Sequence, residues 1–438
     1  MNKKLIGSVV AVALAAVAGV GLVATEKRAF ETALRDFAAA APEGVSIEAD
    51  ITGSDFFSTE FSVRIGEAAG NFAARWQGRA EYGFGTVVRA SLDDRRDLGR
   101  VLADMGVAGF RDELEIEWAP WRKEVPVRWR TAGFDYLPDG KAGPGALTCT
   151  VEPLRFEGEV KDGRFVRFDY AGEGFGCSAG GRQQLSVKDF ALCYEEKAAP
   201  DAETLKHLAP LFPSEASLRV GVISGEGFSM KSLALASTLA KAADAEKTGK
   251  AEMPDKTQKT AAGEKPDARW RQTFDGAVES PVFENAAIGD RIAVRLHLEG
   301  LTQTLADNLV GLQAAMLALG DESLFAAGAV KAVEDAFMRG GLALNLETLS
   351  LEHKGERAEA AGRIAFMGDA ERDRAAAFDP NRGVSLGALS VSVPASMIDE
   401  KTAAPFIESG ALRLVSGFYQ SHLELSTAGV RANGVPIF

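Results

Sequence analysis

The chain has 438 residues, a hydrophobic fraction of 46% and an aromatic fraction of 8%, which are the proportions of a folded protein with one large core or two ordinary ones. Its formal net charge is −13, so bulk electrostatics does not favour binding to nucleic acid or to anionic lipid. The 46 glycines suit the many turns and bulges of an antiparallel sheet.

The chain begins with Lys3 and Lys4, followed by an uncharged run from Leu5 to Thr25 that Glu26 ends. An apolar run of about 20 residues can span a bilayer as a helix, and lysines before it keep the N-terminus in the cytoplasm. We therefore expect residues 1–24 to be a signal anchor that tethers a periplasmic protein to the inner membrane. The alternative is a secretory signal cleaved after Ala18, which would release a soluble periplasmic protein.

The region after this segment changes from helical to strand periodicity. Phe30 and Leu34 recur at helical spacing within residues 25–42, which predicts a helical stalk. Through residues 43–240 apolar and polar side chains alternate in short runs, which predicts strands that each bury one face. No strand–helix–strand rhythm is present, so these residues are predicted to form an antiparallel β region.

Three tryptophans of this region, Trp118, Trp121 and Trp129, lie within twelve residues of one another. Large aromatic rings so close in sequence are candidates for lining a ligand groove. The alternative is that they pack in the core or along a sheet edge.

The three cysteines, Cys149, Cys177 and Cys193, allow one disulfide in an oxidising compartment. A hairpin that pairs Lys161 with Phe165 would place Cys149 directly opposite Cys177. The sequence therefore predicts a Cys149–Cys177 disulfide, and the alternative is three reduced, buried thiols.

Residues 241–267 differ from the rest of the chain. They contain six lysines and six acidic residues but no Ile, Leu, Val or aromatic residue. Such a segment cannot offset its ordering entropy by burial, so it is predicted to be a disordered linker.

Residues 268–438 return to strand periodicity and are predicted to continue the same sheet. Arg291–Glu299 alternates cleanly, whereas two apolar stripes at helical spacing predict a helical hairpin over residues 301–339. The leucine alternation after it changes phase at Glu347–Thr348, which predicts a β-bulge. The predicted fold class is α+β, mainly β: a large, curved antiparallel sheet with a packed helical hairpin and an N-terminal membrane helix.

The C-terminal residues resemble a known family. They include Pro394–Met397, Ala404–Gly410, Tyr419, a leucine-bearing strand and the run Val430–Pro436, with its Asn-Gly turn. This pattern, together with the two lysines and the apolar N-terminus, resembles the YdgA-like family of bacterial envelope proteins. The resemblance implies a periplasmic protein tethered to the inner membrane, and it implies no activity and no catalytic residue.

Candidate catalytic patterns are weak. Gly383–Gly387 fits the G-x-S-x-G pattern and precedes Asp399 and His422, but the residues after it alternate as a strand where a nucleophile elbow needs a helix. The four histidines include no pair at metal-ligand spacing, and His297 and His422 fall on the polar phase of strands, where we expect solvated side chains. The sequence thus predicts no catalytic residue, cofactor or metal ligand.

These observations favour a non-enzymatic envelope protein, either a scaffold or a protein with a hydrophobic groove for lipid. Its expected partners are the inner membrane and either lipid or other envelope proteins, and not nucleic acid. The alternative is a hydrolase-like envelope enzyme whose site is dispersed along the sequence.

Overall fold

The fold is seen in a computed structural model of the chain and is mainly antiparallel β-sheet, as the alternating sequence pattern predicted. The structure describes residues 23–36, 38–39, 45–67, 73–83, 85–93, 102, 106–119, 121–138, 145–162, 164–207, 209–242, 268–308, 310, 342–365, 385–426 and 429–437.

The chain divides into two compact units. The N-terminal unit comprises residues 1–193 and 223–226, and the C-terminal unit comprises residues 194–222 and 227–438. The division falls within two strands, β12 (Arg182–Glu196) and β13 (Ser214–Gly225), and not at the charged segment that the sequence marks as a linker. Residues 243–267 of that segment lie outside the described residues, and Lys241 is the last residue of a strand.

The N-terminal unit combines a helix, α1 (residues 23–36 and 38–39), with a sheet. Neighbouring strands are antiparallel and pair in the order β1–β2–β3–β4–β6–β7–β10–β11, and the short row β5–β8–β9 joins β11 through β9. Its strands are β1 (Val45–Ser54), β2 (Ser58–Glu67), β3 (Ala73–Tyr82), β4 (Thr86–Leu92), β5 (Val107–Ala108), β6 (Asp112–Trp118), β7 (Val125–Thr131), β8 (Phe134–Tyr136), β9 (Leu147–Val151), β10 (Leu154–Lys161) and β11 (Arg164–Ala179).

The predicted stalk is helical, but it is not free of the sheet. The ring of Phe30 lies 5.4 Å from that of Phe61 and 6.3 Å from that of Tyr82, measured between ring centroids. Leu34 is buried in the same cluster. A helix with an apolar stripe is stabilised by covering an apolar sheet face, so α1 packs against β2 and β3.

The predicted membrane helix falls mostly on residues 1–22, which lie outside the described residues. Its last residues, 23–24, belong to α1. Among the helices that the structure describes, none is both long enough and apolar enough to cross a bilayer.

The hairpin of β10 and β11 turns more tightly than the sequence suggests. Lys161 pairs with Arg164, and not with Phe165. A bulge between Phe165 and Arg167 then shifts the pairing by one residue, which restores the register expected from the sequence. Asp162 at the turn has a φ of 50°, a left-handed conformation that Asp tolerates better than most residues.

The C-terminal unit is also an antiparallel sheet, with pairing order β14–β15–β17–β18–β19–β20–β22–β23–β24. β16 pairs with β15, and β21 pairs with β22. Its elements are β14 (Phe228–Lys241), β15 (Trp270–Phe283), β16 (Ala286–Ala287), β17 (Arg291–Leu301), α2 (residues 303–308 and 310), β18 (Ala343–His353), β19 (Glu356–Ala365), β20 (Ser385–Pro394), α3 (Glu400–Glu408), β21 (Arg413–Val415), β22 (Phe418–Ser426), β23 (Gly429–Ala432) and β24 (Val435–Pro436).

Several sequence predictions for this unit can be compared with the structure. The strand predicted over Arg291–Glu299 is confirmed as β17. The predicted bulge is confirmed, because Thr348 pairs with Arg295 and Leu346 with Leu296, which leaves Glu347 unpaired in the register. The helical hairpin was predicted over residues 301–339, but Leu301 still belongs to β17, so the helix begins later than predicted. Residues 303–308 and 310 are helical, and residues 309 and 311–339 lie outside the described residues.

Candidate functional site

The N-terminal unit contains an apolar cavity with a volume of about 1080 Å³, lined by α1 and by one face of the sheet. Pockets that take drug-sized ligands commonly have volumes of about 300–1,000 Å³, so this cavity is large enough for such a molecule. The lining residues are Ala29, Phe30, Ala33 and Leu34 of α1; Phe61, Val63 and Ile65 of β2; Trp76 of β3; Thr86, Val88, Ala90 and Leu92 of β4; Leu102 and Phe110; Asp112, Leu114, Ile116 and Trp118 of β6; and Val125 and Trp129 of β7.

The period-two alternation of the sequence explains this lining. Successive side chains of a strand point to opposite faces, so every second residue of β2, β4 and β6 enters the cavity. Thr86 and Asp112 are the lining residues with hydroxyl or carboxyl groups, and the others are apolar or aromatic. The cavity is therefore suited to an apolar ligand or to the apolar part of an amphipathic one.

The opposite face of the same strands is charged. Arg89 Nε lies 2.9 Å from Glu115 Oε2, and Arg128 Nη1 lies 2.8 Å from Glu115 Oε1 and 2.5 Å from Glu117 Oε1. The hydrogen bond from Arg128 is the main reason why the pKa of Glu115 is lowered. This part of the sheet therefore offers an apolar ligand one suitable face, the one that α1 covers.

Of the three tryptophans considered as groove aromatics, two line the cavity. Trp118 and Trp129 are lining residues, whereas Trp121 lies in the turn after β6 and is 60% exposed. The Trp129 indole N–H donates to Asp112 Oδ2 at 3.1 Å, and Asp112 Oδ1 accepts from the Leu92 amide at 2.7 Å. Asp112 thus holds the Trp129 ring in place and satisfies the amide of the last residue of β4.

A buried carboxyl group stands beside Thr86. Glu26, on α1, is fully buried, and its Oε2 accepts a hydrogen bond from Thr86 Oγ1 at 3.4 Å. Its Oε1 has no hydrogen-bond partner among the described residues. Burial raises the pKa of Glu26, and hydrogen bonds from the Gly83 amide and the Thr86 hydroxyl only partly oppose this effect.

From the sequence, Glu26 is recognisable only as the charge that ends the uncharged run. One signal could have placed it inside: it precedes Phe30 by four residues and so shares a helix face with it. Its burial nevertheless depends on which strand ends α1 covers, and no local pattern specifies that.

Cys149 of β9 stands opposite Cys177 of β11 in the sheet register, and a disulfide joins them. β9 and β10 both pair with β11. The residue register is the same for both strands, and no pairs form in the gap between Val151 and Leu154. The disulfide therefore ties the short row β5–β8–β9 to the main sheet.

The structure does not bring the hydrolase-like residues together. Ser385 is the first residue of β20 and pairs with Ser426, whereas Ser390 Oγ faces His422 Nδ1 at 3.3 Å. Asp399 is the residue before α3. A strand follows Ser385, so the turn that exposes a catalytic serine is not formed there.

His297 was expected to be solvated, and the structure places it in a partly buried hydrogen-bond chain instead. Its side chain is 15% exposed; Nδ1 lies 3.0 Å from Thr273 Oγ1, and Nε2 lies 2.6 Å from Glu347 Oε1. The bulge at Glu347 brings this carboxylate within reach. In the described part of the chain, no group of three or more His, Cys, Asp or Glu side chains could hold a metal ion.

Comparison with protein-family models, with curated proteins and with solved structures finds no match to this chain.

Proposed function

We propose that this protein is a non-enzymatic component of the bacterial envelope that binds the acyl chain of a lipid in the apolar cavity of its N-terminal unit. We further propose that its body lies in the periplasm and that residues 1–24 tether it to the inner membrane. Lys3 and Lys4, the uncharged run after them and the resemblance of the C-terminal residues to the YdgA-like family support this location. A disulfide between Cys149 and Cys177 is also in keeping with an oxidising compartment.

The size of the cavity carries the ligand proposal. The cavity is partly open and its walls are almost entirely apolar, so the part of them that faces water is unfavourable at roughly 25 cal/mol per Å². An apolar occupant of matching volume removes that surface from water and adds dispersion contacts with the cavity walls.

An acyl chain fits the chemistry of the lining. Each methylene group moved from water into an apolar site contributes about 0.8 kcal/mol, so about twelve methylenes contribute about 10 kcal/mol. Association costs at least about 4 kcal/mol, which is subtracted from this gain. The remaining binding free energy is small enough for the lipid to dissociate and exchange. The carboxyl and hydroxyl groups of Asp112, Glu26 and Thr86 are too few to bind a strongly polar ligand by themselves.

The test is the lipid content of full-length protein that has been extracted gently from membranes, measured by mass spectrometry. Leu114 lines the cavity, and Glu113, beside it on β6, is exposed. Leu114→Trp places a large ring in the cavity and should lower the bound lipid several-fold. Glu113→Trp adds the same ring outside the cavity and should leave the lipid content unchanged.

Two results would count against the proposal. One is wild-type protein with no more lipid than the Leu114→Trp variant, when both are folded by circular dichroism. The other is equal loss of lipid from the Leu114→Trp and Glu113→Trp variants, which would place the bound lipid elsewhere on the protein.

A hydrolase-like envelope enzyme is the second candidate, and one observation favours it. His297 contacts the Thr273 hydroxyl through one ring nitrogen and the Glu347 carboxylate through the other. These three side chains stand in the order of a nucleophile, a base and a group that orients the base. If they are catalytic, purified protein should hydrolyse p-nitrophenyl esters, and His297→Asn should abolish this activity. Equal rates for the wild type and the variant would exclude this role.

A further inference from the structure

Four of the turns of the N-terminal unit lie at one end of its sheet. Ser58 pairs with Glu81, so the turn before β2 lies beside the turn after β3. Thr86 pairs with Trp118, and Val125 pairs with Val160, which brings the turn after β6 and the turn after β10 to the same end. The strand register therefore aligns turns that are far apart in sequence.

These turns carry exposed aromatic side chains. Phe57 is 63% exposed, Trp121 is 60% exposed and Phe56 is 43% exposed. Phe165, the second residue of β11, is also partly exposed, but its ring packs edge-on against Phe156 with ring centroids 5.1 Å apart, so local packing explains its position. We call Phe56, Phe57 and Trp121 the tip surface.

The Phe56–Phe57 turn is held in a defined conformation. Asp55 Oδ1 accepts hydrogen bonds from the amides of Phe57 at 2.8 Å and Ser58 at 2.6 Å, and Asp55 Oδ2 accepts from the Ser58 hydroxyl at 2.9 Å. The two rings contact edge to face, with centroids 4.9 Å apart. Folding thus keeps two large apolar rings in water although the turn is well ordered, and such exposed apolar groups mark interaction surfaces.

The first described residues of α1 lie at this same end of the sheet. Lys27 Nζ donates a hydrogen bond to the Asp55 carbonyl oxygen at 2.5 Å, and Glu26 accepts one from Thr86. The uncharged run from Leu5 to Thr25 ends two residues before Lys27. Val23, the first described residue of α1, belongs to the apolar cluster that this helix forms with the sheet. With a helical rise of 1.5 Å per residue, it lies about 6 Å along the axis from Lys27.

We propose that the tip surface is a second membrane contact, inserted in the interface of the bilayer that holds the uncharged run before Val23. This inference rests on the membrane attachment in the proposed function. A bilayer whose hydrocarbon layer ends just before Val23 places Lys27, and hence the Asp55 turn, about 6 Å further out, within the headgroup layer. Phenylalanine and tryptophan are favoured at that depth, and a lysine amine remains in the headgroup layer.

This contact orients the cavity with respect to the membrane. The lining residues Thr86, Trp118 and Val125 belong to the end of the sheet that carries the tip surface. With the tip surface in the bilayer, this end of the cavity faces the leaflet from which an acyl chain would be taken.

The test uses the full chain reconstituted in vesicles of phosphatidylethanolamine and phosphatidylglycerol. The photo-crosslinker p-benzoylphenylalanine replaces Phe57, Trp121 or Tyr136, one position at a time. Tyr136 is the matched control: it is an exposed aromatic residue, but it lies beyond the far end of β7, whose seven residues span about 20 Å. After illumination, mass spectrometry should find phospholipid adducts at positions 57 and 121 and only background at 136.

Failure of this inference can be told apart from failure of the membrane attachment. Protein that resists an alkaline wash of the vesicles but forms no phospholipid adduct at positions 57 and 121 would overturn the tip contact and leave the attachment standing. Adducts at these positions to a second protein chain instead of lipid would do the same. Protein that is removed by the wash and forms no adduct would overturn both.

Discussion

The ring of Phe61 occupies the space that a side chain on Gly78, its cross-strand partner on β3, would need. A Cβ atom on Gly78 would stand 2.4 Å from Phe61 Cζ and 2.7 Å from the Arg89 carbonyl oxygen. Phe61 is buried, lines the cavity and also contacts Phe30 of α1. Gly78 is therefore the residue that lets Phe61 support both α1 and the cavity wall.

Gly78→Ala should destabilise the protein by about 1–3 kcal/mol, because the Phe61 ring must move and the contact with the Arg89 carbonyl remains. The midpoint of urea unfolding measures this loss. Gly83→Ala is the control, since a Cβ there meets nothing within 4 Å. If both variants unfold at the wild-type midpoint, the overlap with Phe61 is not a constraint on the fold.

Glu26 should make stability depend on pH. Burial raises its pKa in the folded state above the ordinary value of 4.5, so the folded state holds the proton more tightly than the unfolded state. The resulting stabilisation is complete below the unfolded pKa and is lost as the pH rises through the folded pKa. Glu26→Gln should remove this part of the pH dependence of the unfolding free energy.

The free energy of unfolding of the wild type and the variant is measured in urea at several pH values. The range runs from about pH 4, near the ordinary pKa of Glu, to about pH 8. Glu113→Gln, on the exposed face of β6, controls for the loss of a carboxylate. A Glu26→Gln curve parallel to that of the wild type would show that this carboxyl group does not control the slope.

Removing the Cys149–Cys177 disulfide should cost about 3–4 kcal/mol, the chain-entropy value for a bridge that spans a sequence separation of 28 residues. The Cys149→Ser/Cys177→Ser double variant and Cys193→Ser, which leaves the bridge intact, are compared by thermal unfolding. Only the double variant should lose stability. Protein isolated from the envelope should also change mobility on reduction, and unchanged mobility would argue against the bridge there.

Asn433 should stabilise the last hairpin through both its backbone and its side chain. It has a φ of 49° in the two-residue turn between Ala432 and Val435. Its Nδ2 donates to the Ala411 carbonyl at 3.0 Å, and its Oδ1 accepts from the His422 amide at 3.0 Å. Asn433→Ala loses both hydrogen bonds and strains the turn, so we expect a loss of about 2–4 kcal/mol.

Asn433→Gly separates these two effects, because glycine adopts the positive φ freely but makes neither side-chain hydrogen bond. Thermal unfolding should place Asn433→Gly between the wild type and Asn433→Ala. If Asn433→Gly is as stable as the wild type, the side-chain bonds contribute nothing and the turn conformation alone explains the position.

Much of the strand architecture could be predicted from local patterns. Alternation identified β17, the phase change located the bulge at Glu347, and Asn433–Gly434 was identified as a turn. These features depend on the geometry of a few neighbouring residues, so the chain carries their signals locally. The hairpin at Asp162 shows the limit of this reasoning: the turn is shorter than expected, and a bulge compensates for it.

The cavity could be predicted only in part. Clustering suggested that three tryptophans share a groove, and the turn after β6 instead directs Trp121 to solvent while Trp118 and Trp129 remain in the wall. The helix that was predicted to be a stalk instead covers the cavity. Neither outcome has a local signal, because each depends on where distant strands end.

By itself the sequence determined the mainly antiparallel class, the alternation that gives the strands one apolar face, and the uncharged run behind two lysines, because each is set by neighbouring residues. The tertiary structure decided that α1 covers that face, that Glu26 is buried beside Thr86, and that Phe57 and Trp121 lie at the same end of the sheet. The last two relations join residues 60 and 64 positions apart, and only the pairing of whole strands and the burial of a helix stripe bring such residues together.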